Sequence, residues 1–176
     1  MPNYRRARVA GGCYFFTVVT HRRRPLFRNE ANVQRLRTAI RRTRRAHPFQ
    51  IDAIVILPDH LHALWTLPAG DSDYARRWKV LKALFTHSGP DLLGDRAGRP
   101  GKCPVWQRRY WEHCIRDETD YQRHMDYIHY NPVKHGLVAS PEQWPYTSFH
   151  RAVERGLYPS GWGYSEPATI QGMDFE

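Results

Sequence analysis

Two apolar segments with only two residues between them constrain the fold of this chain most strongly. Ile51–Leu57 and His60–Leu67 are both rich in aliphatic residues, and Pro58-Asp59 separates them. This pattern predicts a tight hairpin of two strands that lie in the middle of a sheet. The fold is therefore expected to be built around antiparallel strands.

The segments before and after this hairpin alternate between helix and strand patterns. Cys13–Thr20 is aromatic and β-branched, which predicts a first strand. Apolar residues recur at helical spacing over Asn29–His47, whose other positions carry many arginines, and again over Asp73–Thr86. One helix is therefore predicted on each side of the hairpin.

The last part of the chain predicts one more strand and one more helix. A Gly/Pro-rich loop over Ser88–Pro104 precedes a short strand around Glu112–Arg116 and a helix over Asp117–Tyr130. The order β-α-β-β-α-β-α predicts an α+β protein with a ferredoxin-like, split βαβ antiparallel sheet that carries two helices on one face. A further helix and an irregular C-terminal tail complete the expected architecture.

The charge of the chain predicts a polyanionic partner. Its 27 Lys and Arg residues against 17 Asp and Glu give a formal net charge of +10, and 13% of the residues are aromatic. Positive charge with stacking surfaces is typical of proteins that bind single-stranded nucleic acid. Three cysteines without a CxxC pair argue against a disulfide framework or a thiolate zinc site. No segment resembles a signal peptide or a membrane span, so a cytoplasmic protein is expected.

The second hairpin strand begins with His60-Leu61-His62. Because side chains alternate along a strand, both imidazoles are expected on one side of the sheet, beside Ile54, Ile56 and Leu64, with Leu61 on the other. Two neighbouring imidazoles can form half of a divalent-metal site. The spacing alone leaves metal binding and simple packing equally open.

The end of the last predicted helix is crowded with polar and aromatic residues. Tyr127 and Asn131 are four residues apart and share a face if the helix continues, so that one can carry a nucleophile and the other a ligand oxygen. Pro132 disfavours the helical conformation at Asn131 and predicts that the helix ends or kinks there. Core packing or a surface hydrogen bond is the alternative role of the tyrosine.

At this point the sequence resembles the REP-associated tyrosine transposases, a branch of the single-tyrosine HUH transposases of bacterial insertion sequences. The resemblance spans nearly the whole chain, and together its motifs are highly specific. They are Leu57-Pro58-Asp59-His60-Leu61-His62, Trp65-Thr66-Leu67-Pro68, Trp106-Gln107-Arg108-Arg109-Tyr110-Trp111-Glu112-His113 and Asp126-Tyr127-Ile128-His129-Tyr130-Asn131-Pro132-Val133-Lys134-His135-Gly136.

The resemblance implies an enzyme that cuts and rejoins single-stranded DNA at REP-like hairpins through a covalent 5′-phosphotyrosine. It implies that His60 and His62 hold Mg²⁺ or Mn²⁺, that Asn131 completes the site, and that Tyr127 attacks the scissile phosphate. Many insertion-sequence relatives carry glutamine at the third position, whereas the REP-associated branch resembles this chain in having asparagine followed by proline. The branch's Gly-Thr-Trp-Phe motif, linked to reading a guide sequence, is here Gly12-Cys13-Tyr14-Phe15, which differs at two positions.

Further expectations concern domain organisation and DNA contacts. Residues 1–140 are expected to form the catalytic domain and residues 141–176 an extension packed on it, which covers the active site or replaces a dimer partner. The resemblance favours a monomer over a dimer. Tyr14, Trp65, Trp106 and Trp111 are candidate stacking platforms, although core positions are the more common role of tryptophan. Seven arginines are candidate phosphate contacts, although a solvated surface position explains each of them equally well. They are Arg22, Arg23, Arg24, Arg41, Arg44, Arg108 and Arg109.

Three other interpretations fit the sequence less well. A ferredoxin-like module could bind DNA or RNA without chemistry, in which case Tyr127 would have no catalytic role. A two-histidine phosphodiesterase would need a second His-containing motif, which the sequence lacks. HUH replication or mobilisation nucleases share the chemistry but have longer chains and other motif orders.

Overall fold

Four antiparallel strands form the centre of the structure, a computed structural model that describes residues 7–89, 92 and 105–175. The order across the sheet is β2-β3-β1-β4, so the strands of the sequence hairpin pair with each other and β3 lies inside the sheet. This is the ferredoxin-like arrangement that the sequence predicted. The strand bounds are Cys13–Val19 for β1, Gln50–Ile56 for β2, His60–Thr66 for β3 and Trp111–Cys114 for β4.

Two helices cover one face of this sheet, as predicted. Helix α1 spans Glu30–Ala46 and α2 spans Tyr74–Thr86, and the side chains of Asn29 and Asp73 cap their N-termini. The helices pack on each other and on the side chains of β1 and β3 that point towards them. Most of the predicted loop Ser88–Pro104 lies outside the described residues.

The register of the β2–β3 hairpin determines which side chains lie on the same face of the sheet. Because its turn has only two residues, Leu57 pairs with His60, Ile56 with Leu61 and Val55 with His62. Directly paired residues of antiparallel strands point to the same face. The expectation that Ile54 and Ile56 lie beside the histidines was therefore wrong, since both pack in the cluster under α1 and α2.

The opposite face is covered by helix α3, which spans Glu118–Lys134 and is capped by Asp117. The sequence predicted an end or a kink at Asn131, and an end there was wrong, because the helix continues through Pro132 to Lys134. Proline removes one backbone donor, and this close to the C-terminus the cost is small enough for the remaining bonds and packing to keep the helix. The chain turns away at Gly136, whose φ of 64° favours glycine.

The segment after α3 packs on the same face. A short helix α4, Phe149–Glu154, and the residues up to Phe175 close a second apolar cluster against α3 and the sheet. Within the described ranges, no helix combines the length and the apolar character needed to cross a membrane. The sheet thus has one face covered by α1 and α2 and another covered by α3 and the C-terminal segment.

Candidate active site

A row of side chains crosses the sheet on the face beneath α3. The strand register aligns Val55, His62, Thr17 and Trp111, one residue from each strand. Cross-strand pairing fixes this row, because a shift of one residue would turn every member to the other face. The row places the second histidine of the motif in the centre of the sheet.

The two histidines of β3 lie side by side and are buried. Their ring centroids are 4.9 Å apart, and the exposed fractions are 1% for His60 and 0% for His62. Nδ1 of His60 hydrogen-bonds to Asp59 Oδ1 at 2.6 Å, and Nδ1 of His62 hydrogen-bonds to Thr17 Oγ1 at 2.9 Å. With Nδ1 occupied in both rings, Nε2 is the nitrogen that each can offer to a metal.

An arginine-rich turn supports the first histidine. Arg22 and Arg23 have φ values of 54° and 50°, which non-glycine residues adopt at an energetic cost. Arg23 Nη1 donates to Asp59 Oδ2 at 3.1 Å, so Asp59 bridges the turn and His60. Burial opposes ionisation of Asp59, but the bonds from His60 and Arg23 lower its pKa. The strained turn therefore holds positive charge next to the histidine pair.

Asn131 is a polar residue of α3 that faces the interior of the protein. Its side chain is fully buried, and neither Oδ1 nor Nδ2 has a hydrogen-bond partner among the described residues. An unsatisfied buried amide costs about 1–3 kcal/mol. Such a group is expected where a ligand completes the site, and an amide oxygen is a suitable ligand for Mg²⁺ or Mn²⁺.

Tyr127 lies one helical turn before Asn131 and faces the sheet. Its ring packs edge-on against His62, with 5.3 Å between the ring centroids. Lys134 Nζ donates to the Tyr127 hydroxyl oxygen at 3.2 Å. Burial opposes the charge of Lys134, but the bond to Tyr127 and the carboxylate of Asp174 raise its pKa, so the side chain is an ammonium at neutral pH.

The end of the described chain covers this tyrosine. The Phe175 ring packs against the Tyr127 ring, with 5.1 Å between the ring centroids, and stacks on Trp111, with 4.7 Å between the centroids. The backbone N–H of Phe175 donates to the Tyr127 hydroxyl oxygen at 3.3 Å. Asp174 pairs with Lys134 at 3.4 Å. As a result, Tyr127 is only 1% exposed. A cavity of about 660 Å³ borders this cover and is lined by Arg109, Trp111, Thr17 and Phe175.

A second group of ionisable side chains, His113, Asp120 and His124, joins β4 to α3. Asp120 Oδ2 accepts bonds from His113 Nε2 and from Arg116, which lower the pKa of Asp120 to about 2 even though burial opposes ionisation. The two imidazoles are stacked within 15° of parallel, so their in-plane lone pairs do not converge on one point. These contacts make the group a hydrogen-bonded anchor for β4.

A buried hydrogen-bond chain ties α3 to the C-terminal segment. Tyr158 donates to Asp126 at 3.0 Å and accepts from His129 Nδ1 at 2.9 Å. His129 Nε2 then accepts from Ser148 Oγ at 2.8 Å, and Ser148 Oγ accepts from the Ile54 backbone N–H. Burial lowers the pKa of His129 to about 3, so the ring is neutral.

The candidate DNA contacts separate into distinct places. Arg22, Arg23 and Arg24 lie in the turn beside His60, and Arg108 and Arg109 lie on the exposed approach to Trp111. Arg41 and Arg44 are exposed on α1, away from the histidines.

The stacking candidates differ in exposure. Tyr14, Trp65 and Trp106 are 0%, 1% and 6% exposed in the cluster under α1 and α2, so their rings pack in the core and offer no stacking face. Their positions under the two helices explain this correction. Trp111, at 39% exposed, is the member of the set whose ring solvent can reach.

Sequence reasoning missed four side chains of the site. Lys134 follows Tyr127 by seven residues, a helical spacing that places both on one side of α3 and could have been noticed. Asp59 precedes His60 directly. Thr17 and Phe175 carried no local signal, because strand register and the path of the last residues bring them to the site.

Comparison with known protein families bears on this geometry. The profile of the family described as "Transposase IS200 like" matches residues 9–131. This stretch begins before β1 and ends at Asn131, so it contains the histidine pair and Tyr127. It covers more than half of the chain.

Individual proteins match over nearly the whole length. The chain is 46% identical to the REP-associated tyrosine transposase of Escherichia coli (strain K12) over 163 residues, which are 92% of this chain and 91% of that protein. It is 43% identical to a similarly named protein of Haemophilus influenzae, and the match covers 98% of this chain and 99% of that protein. A solved structure of a REP-associated tyrosine transposase bound to a REP hairpin superposes with a TM-score of 0.80 at 44% identity, covering 96% of each chain.

Proposed function

The chain belongs to the family of IS200-like transposases, in the branch of REP-associated tyrosine transposases, and we propose that it cuts and rejoins single-stranded DNA beside hairpins through a covalent bond to Tyr127. It is a transposase and therefore an enzyme. One observation carries the assignment of the site: a buried tyrosine packs on His62, the second histidine of the pair, one helical turn from an unsatisfied asparagine amide.

The donor set fits a divalent cation. His60 and His62 would bind it through Nε2, and the amide oxygen of Asn131 would gain the partner that it otherwise lacks. The amide oxygen suits Mg²⁺ or Mn²⁺, and the two imidazole nitrogens favour Mn²⁺ over Mg²⁺. When bound, the cation neutralises charge on the scissile phosphate and orients it for in-line attack.

The chemistry of this chain's own residues follows from the contacts of Tyr127. Its phenol oxygen attacks phosphorus, the new O–P bond forms as the bond to the 3′-oxygen breaks, and the phenol proton leaves to solvent. The 3′-oxygen takes a proton from solvent, which gives a 5′-phosphotyrosine and a free 3′-hydroxyl. Since the phosphotyrosine keeps the energy of the phosphodiester, a second 3′-hydroxyl can reverse the step and join new ends without ATP.

Lys134 assists both directions of this reaction. A phenol is a weak nucleophile at neutral pH and needs a nearby base or cation. The ammonium of Lys134 donates to the attacking oxygen at 3.2 Å and stabilises negative charge on it. In the joining step the same oxygen is the leaving group, and the same contact stabilises it as it departs.

The approach of the DNA runs over exposed positive charge. Arg23 lines a cavity next to His60, with Arg22 and Arg24 beside it in the same turn, and Arg109 lines the cavity next to Trp111, with Arg108 beside it in the chain. The phosphates flanking the scissile bond would contact these arginines, and the half-exposed ring of Trp111 would stack on a base. Arg41 and Arg44 would bind phosphates farther away.

The C-terminal segment must move for the reaction to occur, because Phe175 and Asp174 cover Tyr127 and Lys134. We propose residues 1–140 as the catalytic unit and residues 141–176 as an extension that packs on it. The protein is proposed to act as a monomer in the cytoplasm, and to associate with the nucleoid when DNA is bound. The hairpins would be REP-like.

The test is covalent capture of DNA. Purified protein is incubated with single-stranded hairpin DNA and Mn²⁺, and adducts are separated on a denaturing gel beside Tyr127→Phe. Wild-type protein is expected to form an adduct that requires both metal and Tyr127, while the variant still binds the hairpin. Tyr130→Phe is the matched control, because Tyr130 lies on the same helix and packs against Trp162 instead.

A non-catalytic nucleic-acid module is the competing function. It predicts hairpin binding without an adduct, across hairpins of different sequence and with either metal. An adduct that persists in Tyr127→Phe and disappears in Tyr130→Phe would move the nucleophile to the other tyrosine.

A further inference from the structure

A groove at the β2 edge of the sheet collects positive charge away from Tyr127 and the histidine pair. It lies between the C-terminal half of α1 and the segment 146–151, which pairs with the edge of β2. Its volume is about 320 Å³. We call it the arginine groove, and the charged side chains that line it are Arg37, Arg41, Arg44 and Arg151.

Contacts with neutral groups hold these side chains in place. Arg44 Nε donates to the Phe49 carbonyl at 3.1 Å, and Arg151 Nη2 donates to the Ile51 carbonyl at 3.2 Å. Arg41 donates to a threonine hydroxyl, and the Arg37 guanidinium lies 5.7 Å from the centre of the Tyr146 ring. None of the four pairs with a carboxylate in the described part of the chain. Their charge is therefore available to an external anion.

The spacing of the arginines matches a chain of phosphates. Arg37, Arg41 and Arg44 are separated by four and three residues, so they form one stripe along α1. The stripe is about 10 Å long at 1.5 Å per residue, which is the axial length of about three nucleotides in one strand of a duplex. Arg151 adds charge from the other wall.

The groove lacks the surface that unpaired bases need. Tyr146 is its one aromatic lining residue in the described chain, and Arg37 lies over that ring. Proteins that hold single strands stack bases on exposed aromatic rings, whereas contacts to phosphate alone are typical of duplex binding. We infer that the arginine groove binds the phosphate backbone of the double-stranded stem of the DNA hairpin.

The position of the groove agrees with a hairpin that extends into the active site. The groove lies at the β2 edge of the sheet, and Trp111 lies at the opposite edge on β4, with His62 between them. Ser148 lines the groove and bonds to His129 on α3, two residues after Tyr127. The stem would be held at one edge while the unpaired strand crosses towards Tyr127. This inference rests on the proposed function for the identity of the substrate.

The test compares two double variants of equal charge. Arg41→Gln with Arg44→Gln removes two groove arginines, and Arg42→Gln with Arg45→Gln removes two exposed arginines of the same helix that do not line the groove. Equilibrium binding to a hairpin and to an unpaired strand of equal length is measured over a range of salt concentrations without divalent metal, so no cleavage occurs.

The groove variant is expected to bind the hairpin at least tenfold more weakly at physiological salt, with a log–log salt slope reduced by about 1.8 for two lost phosphate contacts. The control pair should change hairpin affinity much less. Equal losses in both pairs, equal losses for hairpin and unpaired strand, or no loss would each overturn the inference. Arg41→Lys with Arg44→Lys keeps the charge and guards against misfolding, since it should bind nearly as the wild type does.

Failure of this inference is distinguishable from failure of the proposed function. The groove is tested by binding alone, and the function is tested by the Tyr127 adduct on a denaturing gel. A protein that forms the adduct but binds hairpins independently of Arg41 and Arg44 would keep its function and lose the groove assignment.

Discussion

The two faces of the sheet bury side chains of different chemistry. Under α1 and α2 the cluster is aromatic and aliphatic, with Trp65 and Trp78 stacked at 4.1 Å. Under α3 the buried side chains include His62, His129 and Asn131 among the apolar ones. Burying polar groups stabilises a protein less than burying apolar area, and an unsatisfied group destabilises it. The first face therefore supplies stability, and the second retains the polar groups that are proposed to serve the reaction.

The largest effect is expected on the polar face. His62→Ala should slow adduct formation at least about a thousandfold, which corresponds to about 4 kcal/mol of activation free energy, because the proposed metal loses a ligand. The free energy of unfolding should fall by about 1–3 kcal/mol, because Thr17 loses its buried hydrogen-bond partner. Single-turnover adduct rates and urea unfolding measure the two quantities. A large loss of stability with an unchanged rate would reverse the roles assigned to the faces.

The converse change belongs to the apolar face. Trp78→Ala should lower the free energy of unfolding by about 3–5 kcal/mol, because a large buried ring is replaced by a cavity beside Trp65 and Phe16. The adduct rate per folded molecule should stay the same, since Trp78 does not contact the α3 face. Urea unfolding and active-site titration of the remaining folded protein give the two values. A rate loss in fully folded protein would show that the faces are coupled.

A smaller effect is expected at Lys134. Lys134→Gln should slow adduct formation about 10-fold to 100-fold, or about 1.4–2.7 kcal/mol, because the attacking oxygen loses a cationic donor at 3.2 Å. Lys134→Arg keeps a cation and should recover much of the rate. Hairpin affinity should be equal in both variants. If the glutamine and arginine variants are equally slow, the lysine acts through packing and not through its charge.

The buried His129 makes the stability of the polar face depend on pH. Its pKa in the folded protein is about 3, below the ordinary 6.5 of an exposed histidine, so the unfolded chain binds a proton that the folded protein excludes. Stability from this group is complete above about pH 6.5 and falls as the pH drops, by about 1.4 kcal/mol between pH 7.5 and 5.5. Urea unfolding at both pH values measures it. The variant His129→Asn should be less stable than the wild type at pH 7.5. Its free energy of unfolding should fall by about 1.4 kcal/mol less than that of the wild type between pH 7.5 and 5.5.

Local patterns predicted the elements and the histidine pair, because alternation and helical spacing are short-range signals. Three features could not be predicted locally, because they depend on strand pairing or on packing against residues far away in the sequence. The face of the sheet on which Ile54 and Ile56 lie followed from the strand register, which pairs Ile56 with Leu61 and not with a histidine. The continuation of α3 through Pro132 followed from packing that outweighs one lost backbone bond. The burial of Tyr14 depended on which face the two helices cover.

The C-terminal cover was expected only in outline, and its contacts give the smallest predicted effect. Phe175 closes the polar face by packing on Tyr127 and Trp111, and its backbone N–H donates to the Tyr127 hydroxyl oxygen, which is proposed to attack phosphorus. Phe175→Ala should weaken this closed state and raise the adduct rate about threefold, or about 0.7 kcal/mol, because less apolar contact must be broken before DNA enters. Leu157→Ala, at an exposed position of the same segment, is the matched control.

The outcome separates two ways in which a covered nucleophile can work. One outcome is that Phe175→Ala forms the adduct faster than the wild type at low hairpin concentration, and that the two rates become equal at saturating hairpin. In that case the cover competes with DNA, and the substitution changes binding and not the chemical step. If the rate falls at every DNA concentration, the Phe175 ring forms part of the working site, together with Trp111, and the polar face is complete only with its C-terminal residues in place. Single-turnover rates across a range of hairpin concentrations distinguish these cases, because a competing cover changes the half-saturating concentration and a catalytic ring changes the plateau.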